Sequence, residues 1–163
     1  EVILVSRNGK AIRFPVKNLR IASRTSGGVR GIRLVDDNVV GMGIVLPDTY
    51  VLTMTEKGFG KLTPTKNYPL HNRGTKGVIT YRVNPKTGNL ALAKLVSRQG
   101  SLVMLSTKGN VVNIPIDQVS VQSRNGRGAR LMGLDEDDSV ASATWVFRQN
   151  EIPPNQAQPQ RAK

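Results

Sequence analysis

The sequence predicts an all-β, propeller-like protein of three four-stranded blades, and two observations carry that prediction. The first is an internal repeat. Arg7-Asn8-Gly9-Lys10, Glu56-Lys57-Gly58-Phe59 and Thr107-Lys108-Gly109-Asn110 align on a glycine at spacings of 49 and 51 residues. A proline follows each glycine by six residues (Pro15, Pro64, Pro115), an arginine by fifteen (Arg24, Arg73, Arg124) and a second glycine by nineteen (Gly28, Gly77, Gly128). Four landmarks in three copies define a unit of about 50 residues, the size of a propeller blade. The second observation is that β-branched residues, Gly and Pro recur too often for any helix of about twelve residues.

Each copy follows the same local order. An apolar run (Val2 to Val5, Tyr50 to Met54, Leu102 to Leu105) meets a turn whose Asn-Gly or Lys-Gly pair tolerates positive φ, and a second strand runs to the proline, giving a hairpin. A polar connection carries the Arg and Gly landmarks into a third strand: Val29 to Leu34, Val78 to Val83 or Ala129 to Leu134. A turn at Asp36 to Asn38, Asn84 to Asn89 or Asp135 to Asp138 leads to a fourth: Val39 to Val45, Leu90 to Val96 or Val140 to Val146. In the third strand of the first copy Val29, Gly31 and Arg33 point one way and Arg30, Ile32 and Leu34 the other, so an accessible edge or face is expected. The predicted organisation is a domain over 1–148, with blades at about 1–47, 48–98 and 99–148, and a disordered polar tail over 149–163. Propellers close with about four to eight blades. Three blades therefore leave a larger ring, an open arc or a pair of chains as alternatives, and the start at Glu1 favours an excised piece of a larger ring.

The chain carries 24 Lys+Arg against 11 Asp+Glu, a net charge of +13 over 163 residues. Its signs are segregated: eight bases and no acid lie between Val2 and Val35, and ten bases and no acid between Lys57 and Ile116. The acids gather at Asp36-Asp37 and Asp135 to Asp138. Such segregation is the footprint of a polyanion binder. Only seven aromatics occur, too few for a platform that stacks single-stranded bases. The absence of cysteine excludes a disulfide scaffold, a thiolate metal site and a thiol nucleophile, and leaves a reducing, intracellular setting as the expectation. The longest apolar run, Val39 to Leu46, falls far short of the ~20 residues of a membrane helix. No phosphate loop is present, His71 is the only histidine, and the acids at Asp135 to Asp138 lack the spacing of a calcium loop. No catalytic or metal-binding residue is expected, and Tyr50, Tyr68 and Tyr81 are read as packing residues.

Gly9 to Pro15, Gly28 to Leu34, Gly58 to Lys61 with Lys76 to Ile79, and Gly126 to Asp138 closely resemble the C-terminal domain of the DNA gyrase A protein. The likeness spans residues 1 to about 147 and corresponds to the last three of that family's six blades. The C-terminal domain of topoisomerase IV is also similar and ranks second. The resemblance implies a β-pinwheel whose blades exchange strands and whose basic perimeter wraps duplex DNA, in an ATP-dependent type II topoisomerase that introduces negative supercoils. It also implies, as partners in a heterotetramer, the rest of the gyrase A protein together with the gyrase B protein. ATP and magnesium held elsewhere in that enzyme, and a cytoplasmic, nucleoid-associated location, follow from the same resemblance. The family's hallmark heptad, Gln-Arg-Arg-Gly-Gly-Lys-Gly, is matched at four of seven positions by His71 to Gly77 and by Gln122 to Gly128.

The expected DNA-binding set places one basic cluster on each blade: Arg24, then Arg73 and Lys76, then Arg124 and Arg127. Arg30, Arg33, Arg82 and Arg130 on the third strands and Arg13 and Lys61 on the hairpins complete it. A cluster repeated at a fixed angular step tracks a bent backbone by charge, with little sequence preference. Gly28, Gly77 and Gly128 are read either as close-approach sites for phosphate or as simple turn glycines. The alternative function is a propeller-like module whose basic face meets an acidic protein. No cofactor or membrane is expected for this stretch, and a monomer and a homodimer remain open.

Overall fold

The computed structural model describes residues 1–147; the expected tail over 149–163 and position 148 lie outside the described residues. Each repeat opens with a hairpin: β1 (Val2–Ser6) with β2 (Lys10–Phe14), then, in the second repeat, β4 (Tyr50–Thr55) with β5 (Phe59–Pro64). In the third repeat β8 (Ser101–Ser106) pairs with β9 (Val111–Pro115). The landmark glycines close these turns at φ of +80°, +81° and +89° for Gly9, Gly58 and Gly109. A hydroxyl three residues earlier secures each turn: Ser6 Oγ, Thr55 Oγ1 and Ser106 Oγ accept the N–H of Lys10, Phe59 and Asn110 at 3.1–3.2 Å. Each proline then ends its strand, because it has no N–H to donate, and starts a single 3-10 turn.

The fourth strand of each repeat, β3 (Val39–Ile44), β7 (Leu90–Val96) and β11 (Val140–Val146), pairs antiparallel with the free side of its own first strand. A register shift interrupts the pairing near the hairpin end in all three. These fourth strands pack against one another, β7 between β3 and β11, and so form the inner side of the array.

The third strands depart from the expectation. Those of the second and third repeats shorten to two residues, β6 (Val78–Ile79) and β10 (Ala129–Arg130). Neither joins the sheet of its own repeat. β6 pairs with β2, and β10 pairs with β5, giving sheet orders β3-β1-β2-β6, β10-β5-β4-β7 and β11-β8-β9. Every outer strand is thus donated by the following repeat. Val29 to Leu34, expected as a strand, is not one: no hairpin edge among the described residues pairs with it.

Donation brings a core with it. Leu52, Met54, Leu62, Leu92, Leu102 and Met104 lie between the second and third sheets, closed by Met132 of the donated segment. Ile3, Val5, Ala11, Val51, Leu90 and Ala93 lie between the first and second, closed by Tyr81 at the same repeat position. Among the described residues no sheet covers the outer side of the first repeat. Ile32 therefore folds onto Ile12 and Phe14 of its own sheet.

Candidate nucleic-acid interface

The basic loops sit where the donated strands do, along the outer edge of the sheets. Gly77 (φ +66°) and Gly128 (φ +71°) start the donated strands, and a Cβ there would lie 2.2 Å from the Ala11 carbonyl oxygen and 2.8 Å from that of Gly60. Both glycines therefore serve the joint between repeats. Gly28, their counterpart, has open space on every side. Of the three glycines read either as close-approach sites for phosphate or as turn glycines, Gly77 and Gly128 turn their tight side to protein backbone.

Hydrogen bonds tie each loop to the neighbouring repeat. Across the first joint Gly74 donates its N–H to the Gly31 carbonyl at 2.5 Å, and Arg33 donates its own to Thr75 at 2.9 Å. The Arg73 guanidinium reaches the carbonyls of Asn18 and Arg30 at 3.2 and 3.4 Å. Across the second joint Arg124 Nη1 donates to the Ile79 carbonyl at 3.0 Å, and the Tyr81 hydroxyl donates to that of Arg127. Burial pushes the Tyr81 phenol up to about 12, so it keeps its proton and remains a donor.

Two of the sequence-predicted cations are structural. Lys61 is fully buried. Its Nζ donates to the carbonyls of Ser123 at 2.6 Å and Arg124 at 2.9 Å and lies 5.3 Å from the centre of the Tyr81 ring. The expectation of a perimeter charge fails there because the third repeat's loop closes over the side chain. Arg13 is likewise turned inward: Nη1 donates to the carbonyls of Thr65 and Tyr68 at 2.9 and 3.2 Å, and Nε donates to Glu1 at 2.7 Å. Burial and then the nearby Arg124 charge lower Lys61 from 10.5 to about 8. Between pH 8 and the ordinary lysine range the unfolded chain holds more protons than the folded one, so stability rises with pH in that window. Urea denaturation at pH 8 and pH 10 is expected to show the native chain gaining on Lys61→Met as pH rises; a constant difference contradicts the buried ammonium.

The remaining members stay at the surface. Arg24, Arg30, Arg33, Arg73, Lys76, Arg82, Arg127 and Arg130 are exposed, and Arg124 is half-buried. None forms a salt bridge among the described residues. Arg130 stacks over the Phe59 ring at 5.3 Å. Four acids, Asp37, Glu56, Asp137 and Asp138, are engaged elsewhere, around the hairpin turns. Glu56 pairs with Arg7 at 2.7 Å, Asp137 pairs with Lys108, and Asp37 accepts the Asn8 N–H at 3.0 Å. Burial alone would raise the Asp138 carboxyl, but hydrogen bonds from Ser106, Thr107 and the N–H groups of Lys108 and Ser139 hold it well below the carboxylate range. The acid cluster is thus a turn device. A cavity of about 950 Å³ near these turns is lined by both signs, Arg7, Lys57 and Lys86 facing Glu56, Asp135 and Glu136, which does not suit a polyanion.

A model of the DNA gyrase C-terminal domain, described as a β-propeller, matches residues 1–45, 49–97 and 100–144, one segment per repeat. The chain belongs to the DNA gyrase C-terminal domain family. The DNA gyrase A protein of Dehalogenimonas lykanthroporepellens is 40% identical over 153 residues, which cover 89% of this chain and 19% of that one. That of Salmonella typhimurium is 37% identical over 147 residues, covering 90% of this chain and 17% of the relative. The chain therefore spans about a fifth of the length of the curated relatives it matches. Among solved structures, a DNA gyrase A C-terminal domain superposes with a TM-score of 0.83 at 28% identity, covering 90% of this chain and 50% of that one. The C-terminal domain of a DNA topoisomerase IV reaches the same TM-score at 19% identity, covering 90% and 46%, which establishes the shared fold. As a gyrase C-terminal domain, the chain is all-β with β-propeller architecture, as the repeat predicted. No helix among the described residues is long and apolar enough to cross a membrane.

Proposed function

We propose that this chain binds duplex DNA without sequence preference and bends it along the basic outer edge, as the DNA-wrapping part of a gyrase A protein. One observation supports this above all others: among the described residues eight exposed cations recur along the repeats without a salt bridge, while Asp37, Glu56, Asp137 and Asp138 are held around the hairpin turns. Fixed positive charge at repeated intervals meets phosphates, which also recur at a fixed step, and releases counterions as it does so. Base edges are not read, because the cluster repeats the same residue types rather than a donor and acceptor code.

The whole enzyme belongs to the same proposal: ATP-driven introduction of negative supercoils, a heterotetramer with the gyrase B protein, ATP and magnesium bound outside this stretch, and a cytoplasmic, nucleoid-associated setting. Within it this stretch positions DNA and carries no reacting group. Fluorescence titration of the chain against random duplex and against single strands of the same length tests the reading. Tighter binding to duplex is expected. A preference for single strands, or no duplex binding at low salt, overturns it.

A further inference from the structure

The basic loop of the third repeat, Gln122 to Gly128, is held from beneath by two side chains of the second repeat. Lys61 Nζ donates to the carbonyls of Ser123 at 2.6 Å and Arg124 at 2.9 Å, and the Tyr81 hydroxyl donates to that of Arg127. Both holders are buried, Lys61 at 0% and Tyr81 at 1% exposure. They also hold each other, the ammonium lying 5.3 Å from the centre of the Tyr81 ring. The two bonds from Lys61 are charge-assisted and so stronger than neutral ones.

Tyr81 is itself fixed. The N–H groups of Thr80 and Tyr81 dock on the Gly9 carbonyl at 2.9 and 3.3 Å, and the Ile79 carbonyl just before them accepts Arg124 Nη1 at 3.0 Å. The third repeat's loop is therefore registered against the joint between the first and second repeats as well as against the sheet it covers. Bonds inside the loop stiffen it further: Gly126 donates its N–H to the Ser123 carbonyl at 3.0 Å, and Gly128 donates to Gln122 Oε1 at 3.0 Å. The outer side differs. The Arg127 side chain is exposed and forms no salt bridge among the described residues. A pinned backbone under a free guanidinium places the charge without engaging it, which lowers the ordering cost of a phosphate contact. Ile12 and Ile32 stand at the equivalent positions of the first repeat and offer no side-chain donor. A buried Lys and Tyr where aliphatic residues suffice for packing points to a task beyond packing.

We propose that Lys61 and Tyr81 are positioning residues for the duplex-binding edge: from the interior they fix the backbone of Ser123 to Arg127 and so aim the Arg127 guanidinium at a phosphate of the bound duplex. The inference rests on the duplex-binding reading above. Neither side chain meets the DNA; each acts through the loop.

Titration of the 163-residue chain with random duplex at salt concentrations from about 50 to 200 mM tests this, comparing the native chain, Arg127→Ala, Tyr81→Phe and the double variant. Arg127→Ala is expected to weaken binding about fivefold and to flatten the log–log salt slope by about one, the share of one phosphate contact. Tyr81→Phe keeps the ring and every cation, yet is expected to flatten the slope nearly as much, and the double variant to lose no more than Arg127→Ala alone. A hydroxyl that only stabilises the fold would leave the slope of the folded chain unchanged, and its effect would add to that of Arg127→Ala. That result overturns the inference, as does an Arg127→Ala variant that binds like the native chain; duplex binding itself stands in both cases. A native chain that binds no duplex overturns the function reading and this inference together. Circular dichroism checks folding, and Lys61→Met serves as a second variant with the same expected flattening, a native slope there counting against the proposal. Should neither variant fold, amide exchange of Gly126 and Gly128 in the native chain without DNA decides. Slow exchange is expected of a loop fixed beforehand, and exchange as fast as in an open chain overturns the inference.

Discussion

Gly77→Ala is expected to destabilise the chain by about 3–5 kcal/mol, whereas Gly28→Ala at the equivalent repeat position leaves stability nearly unchanged. Two costs add at Gly77. An L-residue in the left-handed region costs about 1–3 kcal/mol, and forcing a methyl against fixed backbone costs about as much again. The φ there is +66°, and the blocking atom is the Ala11 carbonyl oxygen at 2.2 Å, which lies in β2 and has no room to withdraw. Relief requires β6 to leave its pairing with β2, which exposes the core closed by Tyr81. Gly128→Ala belongs with Gly77, since its Cβ would meet the Gly60 carbonyl oxygen at 2.8 Å at a φ of +71°. Urea denaturation of the three variants measures the contrast. Equal effects at all three positions would mean that the glycines serve the loop itself and not the joint.

The second large effect concerns the outer edge. Replacing Arg24, Lys76, Arg82 and Arg127 together by Ala is expected to weaken duplex binding roughly 10³-fold near 0.1 M salt, if each makes one phosphate contact. These four are exposed, and among the described residues no side-chain hydrogen bond or ion pair holds them, so the substitutions leave the fold's polar contacts in place. They span all three repeats. The loss is expected to be the same for every duplex sequence, since phosphate contacts position without reading bases. A loss confined to one sequence would contradict backbone tracking. Lys61→Ala is the informative contrast, because it removes a charge of the same sign from the interior and acts through the Ser123–Arg124 loop.

The repeat was legible in the sequence because its landmarks are backbone requirements. A positive-φ glycine at each hairpin and a proline at each strand end cannot be supplied by other residues at equal cost. The hydroxyl at Ser6, Thr55 and Ser106 was equally visible three residues before each glycine, and it marks the same turn. Which sheet the third strand joins was not legible. Val78 to Val83 has the composition of a strand in either place, and only the close approach of Gly77 to the neighbouring repeat decides it.

The interface was legible as a charge pattern and not residue by residue. Lys61 and Arg82 are both cations flanked by strand residues, yet one is buried and the other exposed. The difference lies in the loop that crosses Lys61 from a repeat more than 60 residues away. Arg13 is misread for the same reason, its acceptors being carbonyls of the next repeat. Long-range donation of segments is thus what single-repeat reasoning misses.

The salt dependence of duplex affinity separates an edge that binds by charge from one that binds by other contacts. Titrations between 50 and 200 mM salt are expected to show affinity falling by about 10³, a log–log slope near −5 for roughly six phosphate contacts. A slope near zero, with affinity retained at 200 mM, would contradict an edge that works by unpaired charge.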